Sequence, residues 1–342
     1  MTASSFDTAP VAPAGRPPVR RGGRPFTLSP RTSFLLRRLG RMAVSLGIVV
    51  VATFAIIHLV PGDPVRAVLG PSAPAELVAR TRSELGLDQP LLVQFWNYVV
   101  ALVQGDLGTS LQTHRPVADT LAQRAPATLV LAGVSFVIAA VGALPIGLAT
   151  AISVRSGRRR WLDLAASALV GLLIVVPNFL LAVGLVWLFA VQWHVLPVAG
   201  WGDPAQLVLP VLALAIGPMA YLARIVHVEL LAVLDATYMT TARSKRLPSR
   251  LIYLRHALPN MLTSALTIGG LMLTGMVAGT VLIETIFAIP GLGTTIVSSI
   301  TAKDYPMIQG VVLVYAAMVL ALNLIVDLVL MSIDPRSSLA EG

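Results

Sequence analysis

Two carboxylates stand where a charge beside lipid would have to serve a purpose. Glu284 closes the apolar stretch that begins at Met261, and Asp327 follows the one that begins at Met307. Ionisable residues in or beside such stretches are costly and default to function. The chemistry open to them is proton carriage, acid–base catalysis or the fixing of a gate. Proton carriage wants carboxylates near the membrane midplane, and neither lies there. Acid–base work wants a partner group. His58, His114, His194, His227 and His256 show no metal-ligand spacing, and no two candidate groups share a helix face. His58 reads as interfacial and Asp327 as structural. Glu284 remains a candidate for the pathway or its gate. The chain has no cysteine and no G-x-x-x-x-G-K-[ST] phosphate loop. Bond-making chemistry is therefore not expected here, and any ATP that drives the protein is expected on another chain.

The elements that must position these groups are membrane helices. The chain has 342 residues, 56% of them hydrophobic and 12% charged, with a mean hydropathy of +0.81. A soluble domain carries about 25% charged residues. Roughly 20 apolar residues in a helix cross the hydrocarbon core. Six stretches free of Asp, Glu, Lys and Arg reach or approach that length: 42–60, 127–154, 164–191, 207–223, 261–283 and 307–326, the last continuing as a helix to 333. They lack the strict alternation of barrel strands, so the fold class expected is an all-α integral membrane protein with six transmembrane helices. Residues 1–33, basic and rich in Pro and Gly, read as a disordered tail and not as a signal peptide. Residues 61–126 read as a long external loop and 337–342 as a short tail. Within the loop, residues 72–85 predict a short helix capped by Ser72, and 91–103 predicts an interfacial helix too short to span.

Charge sets the orientation. The net charge is +9. Basic residues crowd the N-terminal tail, the segment 155–163 and the segment 224–258, while 192–206 has none. That is the positive-inside bias, which puts both termini in the cytoplasm and makes the number of spans even. No basic face is interleaved with aromatics, so nucleic acid is not an expected partner.

Small and polar residues mark a candidate pathway. Pro145 and Pro177 interrupt the second and third spans, and Pro177-Asn178 would leave backbone carbonyls in need of a partner. Thr263, Ser264, Thr267, Thr274 and Thr280 give the fifth span a partly polar character, with Gly275 and Gly279 one turn apart. Pro177, Asn178, Thr267 and Thr274 join Glu284 as pathway or gate candidates. A pore lining and ordinary helix packing explain the first four equally well.

The most informative segment is the basic one, Asp235 to Pro259. Asp235 reads as an N-cap, with a helix over 236–246 and Arg243, Lys245 and Arg246 near its C-terminal end. Pro248 stops that helix, Ser249 starts a second, and Pro259 turns the chain into the next span. Tyr238, Met239 and Ala242 fall on one narrow apolar face, which suits insertion into a partner's groove.

At this point the chain resembles a known family: the membrane subunits of ABC importers for dipeptides and oligopeptides, a group that includes nickel permeases. The family's cytoplasmic motif, E-A-A, three residues, Gly, nine residues, I-x-L-P, falls on Thr240, Thr241 and Ala242, then Arg246, then His256, Ala257, Leu258 and Pro259. Arg246 at the Gly position departs from the motif. Further blocks agree in order: Pro61-Gly62-Asp63-Pro64, Leu85-Gly86-Leu87-Asp88, Gly105-Asp106-Leu107-Gly108-Thr109-Ser110, Glu284-Thr285-Ile286-Phe287 with Pro290-Gly291-Leu292-Gly293, Asp304-Tyr305-Pro306 with Gln309-Gly310, and Asp334-Pro335-Arg336.

The resemblance covers residues 34–336. It implies a type I ABC importer permease that forms half of a translocation pathway for peptides or a related small solute. The implied partners are a second homologous permease subunit, two cytoplasmic ATPase subunits carrying ATP and Mg, and an extracytoplasmic substrate-binding protein. The coupling loop would be 229–259, with Asp235, Tyr238, Met239, Thr240, Thr241, Ala242, Lys245, Arg246, Leu258 and Pro259 docking on an ATPase. A stand-alone secondary transporter is the alternative. It explains the spans but not the docking loop.

Overall fold

The computed structural model describes residues 30–59, 64–70, 72–84, 86–156, 160–237, 239, 248, 251 and 257–333. Eleven helices carry these residues: α1 (Pro30–Leu59), α2 (Pro64–Leu69), α3 (Ala75–Glu84), α4 (Leu91–Val103), α5 (Val117–Ser156), α6 (Arg160–Val175), α7 (Asn178–Leu185), α8 (Pro204–Asp235), α9 (Leu258–Ile286), α10 (Leu292–Ala302) and α11 (Tyr305–Ile333). A π-helical turn, Val186–Gln192, extends α7. Among the described residues the only extended pairing is one isolated bridge between Thr109 and Pro116.

Helix α8 is the centre of the bundle and packs against α5, α6, α7 and α9. Its start is fixed by a capping box: Asp203 Oδ1 accepts from the Ala205 amide at 2.9 Å, the Gln206 side chain accepts from the Asp203 amide at 3.3 Å, and Pro204 occupies the first turn. Glycines let α5 approach it closely. A Cβ on Gly147 would lie 2.6 Å from the Ala223 carbonyl oxygen, and one on Gly142 2.7 Å from Met219 Sδ. Between apolar helices in lipid, such close backbone contact replaces the hydrophobic drive that water supplies.

The buried clusters define two ends. At one end, the close of α5 (Ala151), the close of α8 (Leu230, Leu234) and the opening of α9 (Ala257, Met261) pack together. At the other, the start of α5 (Ala127), the start of α8 (Leu209), the close of α9 (Ile283, Phe287) and Ala190 of the π turn pack together. The start of α11 (Met307, Val311) joins this second end beside Val117 and Leu121. Helices α1 and α11 run antiparallel: Arg38 pairs with Asp327 near the outer end of each, and Gln309 Nε2 donates to the Thr53 carbonyl at 3.2 Å. Residues 30 and 333 therefore lie at the same end of the bundle, and Asp327 has the structural role its position suggests.

Among the described residues, four helices are long and apolar enough to cross a membrane: Val117–Val154, Pro204–Asp235, Thr267–Ile286 and Tyr305–Ser332. The stretch 164–191 is not one straight span. It breaks between Val175 and Asn178, where the chain bends by 104°. Pro177 causes the break: it has no amide proton to give the Leu173 carbonyl, and it excludes helical geometry before it. The chain still passes from one end to the other, since α6 starts beside the close of α5 and the π turn packs beside α5's start.

Helix α4 lies against α1. The Phe54 and Phe95 rings meet edge-on at 5.2 Å, and the Tyr98 hydroxyl is 3.2 Å from Thr53 Oγ1. Partial burial of its hydroxyl against α1 pushes the Tyr98 phenol above its ordinary pKa, against the opposing effect of the Thr53 hydrogen bond. None of α4's residues is buried, and Trp96 and Leu92 are largely exposed. At 13 residues it is about 20 Å long, short of a bilayer core. Its apolar outer face suits the membrane interface expected of it.

Candidate functional site: the arm and its counterpart at the far end

The segment after α8 is built from its root outward. Helix α8 does not stop with the apolar run at residue 223 but continues to Asp235. Asp235 thus closes a long helix, where the sequence suggested it would open the next one. Ala236 then turns extended (φ −66°, ψ 147°), and the Met239 amide returns to its carbonyl at 3.0 Å. Met239 is 0% exposed and packs with Leu234, Ala257 and Met261. A docking face was expected to include Met239; instead its side chain is an anchor inside the chain's own core. The reason is that Met239 lies directly under the turn, where α8 and α9 converge. Leu258, also expected at the docking surface, is half-buried and packs against the same cluster. Tyr238, Thr240, Thr241, Ala242, Lys245 and Arg246 lie outside the described residues, as does the side chain of Pro259.

At the opposite end, Glu284 is 0% exposed. Its Oε1 accepts from the Thr128 hydroxyl of α5 at 2.7 Å, and its Oε2 accepts from the amides of Gly293 and Thr294 at 2.7 and 3.2 Å. Thr128 Oγ1 in turn accepts from the Leu292 amide at 2.9 Å. The carboxylate therefore sits at the N-terminus of α10, where the first amides lack intrahelical partners and the dipole favours negative charge. The glycines of the Pro290-Gly291-Leu292-Gly293 block now have a cause. A Cβ on Gly291 would overlap the Glu284 carboxylate, and one on Gly293 would lie 2.5 Å from Val281 Cα. Glu284 joins α5, α9 and α10 and touches no open space.

A second polar lock closes the same end. Asp304 Oδ2 accepts from Ser110 Oγ at 2.5 Å, and Asp304 Oδ1 accepts from the Leu111 amide at 3.1 Å. Gln112 Nε2 donates to the Ala302 carbonyl at 3.0 Å. The loop 105–116 is thereby fastened across the α10–α11 turn. Two blocks nearly 200 positions apart in sequence are one structural unit. Replacing Asp304 by Ala is expected to free this loop: two donors, Ser110 Oγ–H and the Leu111 amide, lose a buried acceptor at about 1–3 kcal/mol each. Limited proteolysis should then cut within 105–116 at least about tenfold faster, by the usual conversion of 1.4 kcal/mol per decade. An unchanged rate would show that the lock carries no load.

The remaining pathway candidates separate. Asn178, at the α6–α7 break, lies against two glycines: Cβ atoms on Gly217 and Gly279 would stand 3.1 and 3.8 Å from its amide. It is half-buried between α8 and α9, with Pro177 exposed beside it. Thr274 Oγ1 donates to Asn323 Oδ1 of α11 at 2.6 Å, which is interhelical packing. Thr267 is exposed. Sequence reasoning did not single out Thr128, Ser110, Asn323 or Tyr315, whose hydroxyl is 2.8 Å from Thr280 Oγ1. For Ser110 the signal was there, in the conjunction of two motif blocks that had no evident chemistry of their own.

Comparison with known proteins places this architecture. Residues 143–339 match the family described as binding-protein-dependent transport system inner membrane component, and residues 31–132 match that family's N-terminal model. The chain belongs to this family. It is 37% identical over 303 residues to the glutathione transport system permease protein GsiC of Salmonella choleraesuis (strain SC-B67), covering 89% of this chain and 98% of that one. It is also 37% identical over 313 residues to a putative peptide transport system permease protein of Brucella suis biovar 1 (strain 1330), with the same coverage. A chain from the inward-facing MetNI methionine ABC transporter shares the fold at a TM-score of 0.51 and 17% identity, covering 63% of this chain and 96% of that one.

This family member is a permease subunit of an ABC importer, located in the bacterial inner membrane. It is not itself an enzyme; ATP hydrolysis lies with ATPase partners, and a binding protein delivers the cargo. Nothing in these relationships favours the stand-alone secondary transporter.

Proposed function

We propose that this chain forms one half of a heteromeric pathway for peptides, paired with a second homologous permease and driven by two ATPase subunits. The relatives named for glutathione and peptide transport support that substrate class. ATP and Mg belong to the ATPases. The arm end faces the cytoplasm, because the basic segments 155–163 and 224–258 flank it. Six passages then link the two faces, with residues 30 and 333 both on the cytoplasmic side.

One observation carries the mechanism: Met239, Ala257 and Met261 are fully buried together against the close of α5 and α8. A push on residues 240–256 would thus be delivered into three long helices at once. Packed cores shift between discrete arrangements and do not deform continuously. The arm would therefore switch the bundle between its two access states, provided each state meets the ATPase differently.

The test is the double replacement Tyr238→Ala with Ala242→Glu. Losing an interface anchor of about 2 kcal/mol weakens docking roughly 30-fold. Co-purification of the ATPase and ATP-dependent uptake should both fall. Unchanged co-purification and uptake would remove the arm from the coupling path.

A further inference from the structure

The break between α6 and α7 lies at the middle of the bundle, against Gly217 near the midpoint of α8 and against Gly279 of α9. The chain does not satisfy the backbone there. Pro177 has no proton for the Leu173 carbonyl. The amides of Leu180 and Leu181 both turn to the Pro177 carbonyl, at 3.0 and 3.1 Å. Among the described residues the carbonyls of Leu173 and Val176 therefore accept nothing, and the Asn178 side-chain amide neither donates nor accepts. Hydrocarbon does not tolerate such groups: irregular backbone at membrane depth borders either protein or water.

Two of these acceptors converge. Gly217 leaves a notch in α8, and the point its missing Cβ would occupy lies 3.1 Å from Asn178 Oδ1 and 3.8 Å from the Leu173 carbonyl oxygen. The C-terminal end of α6, a helix of 16 residues, adds the negative end of a helix dipole on the same side. Leu173, Asn178 and Gly217 are each half-buried, and Val175 and Pro177 beside them are exposed, so the notch lies close to the surface of the chain. The neighbouring face of α9 is low. One turn from Gly279, Gly275 is exposed along with Ala278, and a Cβ on Gly275 would meet no atom within 4 Å.

We propose that the Gly217 notch is a pathway subsite for an N–H donor group of the solute, with the Leu173 carbonyl and Asn178 Oδ1 as its acceptors. A primary ammonium, such as the amino terminus of a peptide, suits it best. Carbonyl dipoles replace part of the water shell of a small cation, and conduction requires that such binding stay weak enough for the cation to leave. A neutral acceptor pair meets both demands, where a carboxylate would hold the ammonium in place. The choice of a peptide as the donor rests on the peptide reading above; the notch itself does not.

The test uses the assembled importer, purified without its binding protein. Trialanine is titrated against N-acetyl-trialanine, and alanine amide against N-acetyl-alanine amide. The readout is the concentration that gives half of the maximal rise in heat resistance. In the wild type at least one free amine should act at about tenfold lower concentration than its acetylated counterpart, the effect of one hydrogen bond from a charged donor. Gly217→Ala, which puts a methyl group in the notch, and Asn178→Leu should each bring that ratio close to one. Asn178→Asp, equal in size but with a charged acceptor, should raise it by about threefold or more. Loss of packing alone would move both Asn178 variants the same way. No discrimination in the wild type overturns the proposal. So does a ratio that Gly217→Ala and Asn178→Leu leave unchanged, or that Asn178→Asp lowers. If Gly217→Ala and Asn178→Leu fail to assemble, Asn178→Asp is read alone: a raised ratio supports the subsite, and an unchanged or lowered one overturns it. Discrimination within the alanine amide pair only would keep the notch and remove the peptide, so the two readings fall separately.

Discussion

Glu284→Ala is expected to destabilise the assembled permease by about 3–5 kcal/mol. The figure follows from the donors it would orphan: the Thr128 hydroxyl and the amides of Gly293 and Thr294, all at the buried start of α10. Each buried donor left without a partner costs about 1–3 kcal/mol. Lipid and tightly packed glycines leave little room for water to substitute, and the helix end loses a favourable charge as well. Heating followed by gel filtration should show the midpoint down by on the order of 10 °C. Glu284→Gln keeps one acceptor and should fall between the two. The opposing possibility is that Glu284 contacts cargo. Glu284→Ala would then raise the KM for uptake while leaving the midpoint in place, and that result would remove the structural assignment.

Met239→Ala is expected to separate ATPase binding from transport. The buried methionine is replaced by a cavity worth about 2–5 kcal/mol if nothing collapses into it. The residues 240–256 proposed to dock are untouched, so the ATPase should still co-purify. What weakens is the tie between the arm and the helices it drives. Coupling free energies of 1–3 kcal/mol correspond to factors of about 5–150, so uptake per ATP hydrolysed should drop about tenfold. Met239→Leu, close in volume, should restore most of it. Uptake per ATP equal to wild type in Met239→Ala would show that force enters by another route.

Both predictions concern residues whose apparent roles changed once their surroundings were known. Tyr238, Met239 and Ala242 share a face by helical spacing, and an apolar stripe beside basic residues resembles a docking surface. Spacing says which residues share a face, not whether that face meets a partner or the chain's own core. Here the turn at Ala236 places Met239 under the junction of α8 and α9. Glu284 shows the same ambiguity for charge. A carboxylate at the end of an apolar run fits a gate or a helix cap equally well until the amides of Gly293 and Thr294 are seen beside it.

Hydropathy, the distribution of Lys and Arg, and the order of short motif blocks determined the class of this protein: a helical inner-membrane permease with a basic arm before α9. These signals lie along the chain, and each is set by what a segment of about 20 residues must do in lipid. The tertiary structure alone decided the 104° bend at Pro177, the joining of Ser110 to Asp304 and the anchoring of Met239. In water a buried face differs from an exposed one in composition, and the sequence records it. In a bilayer both faces of a helix are apolar, so no periodicity reveals which side meets protein. That choice rests on where glycines such as Gly142 and Gly147 admit a neighbouring backbone, and on which distant donor reaches which buried acceptor.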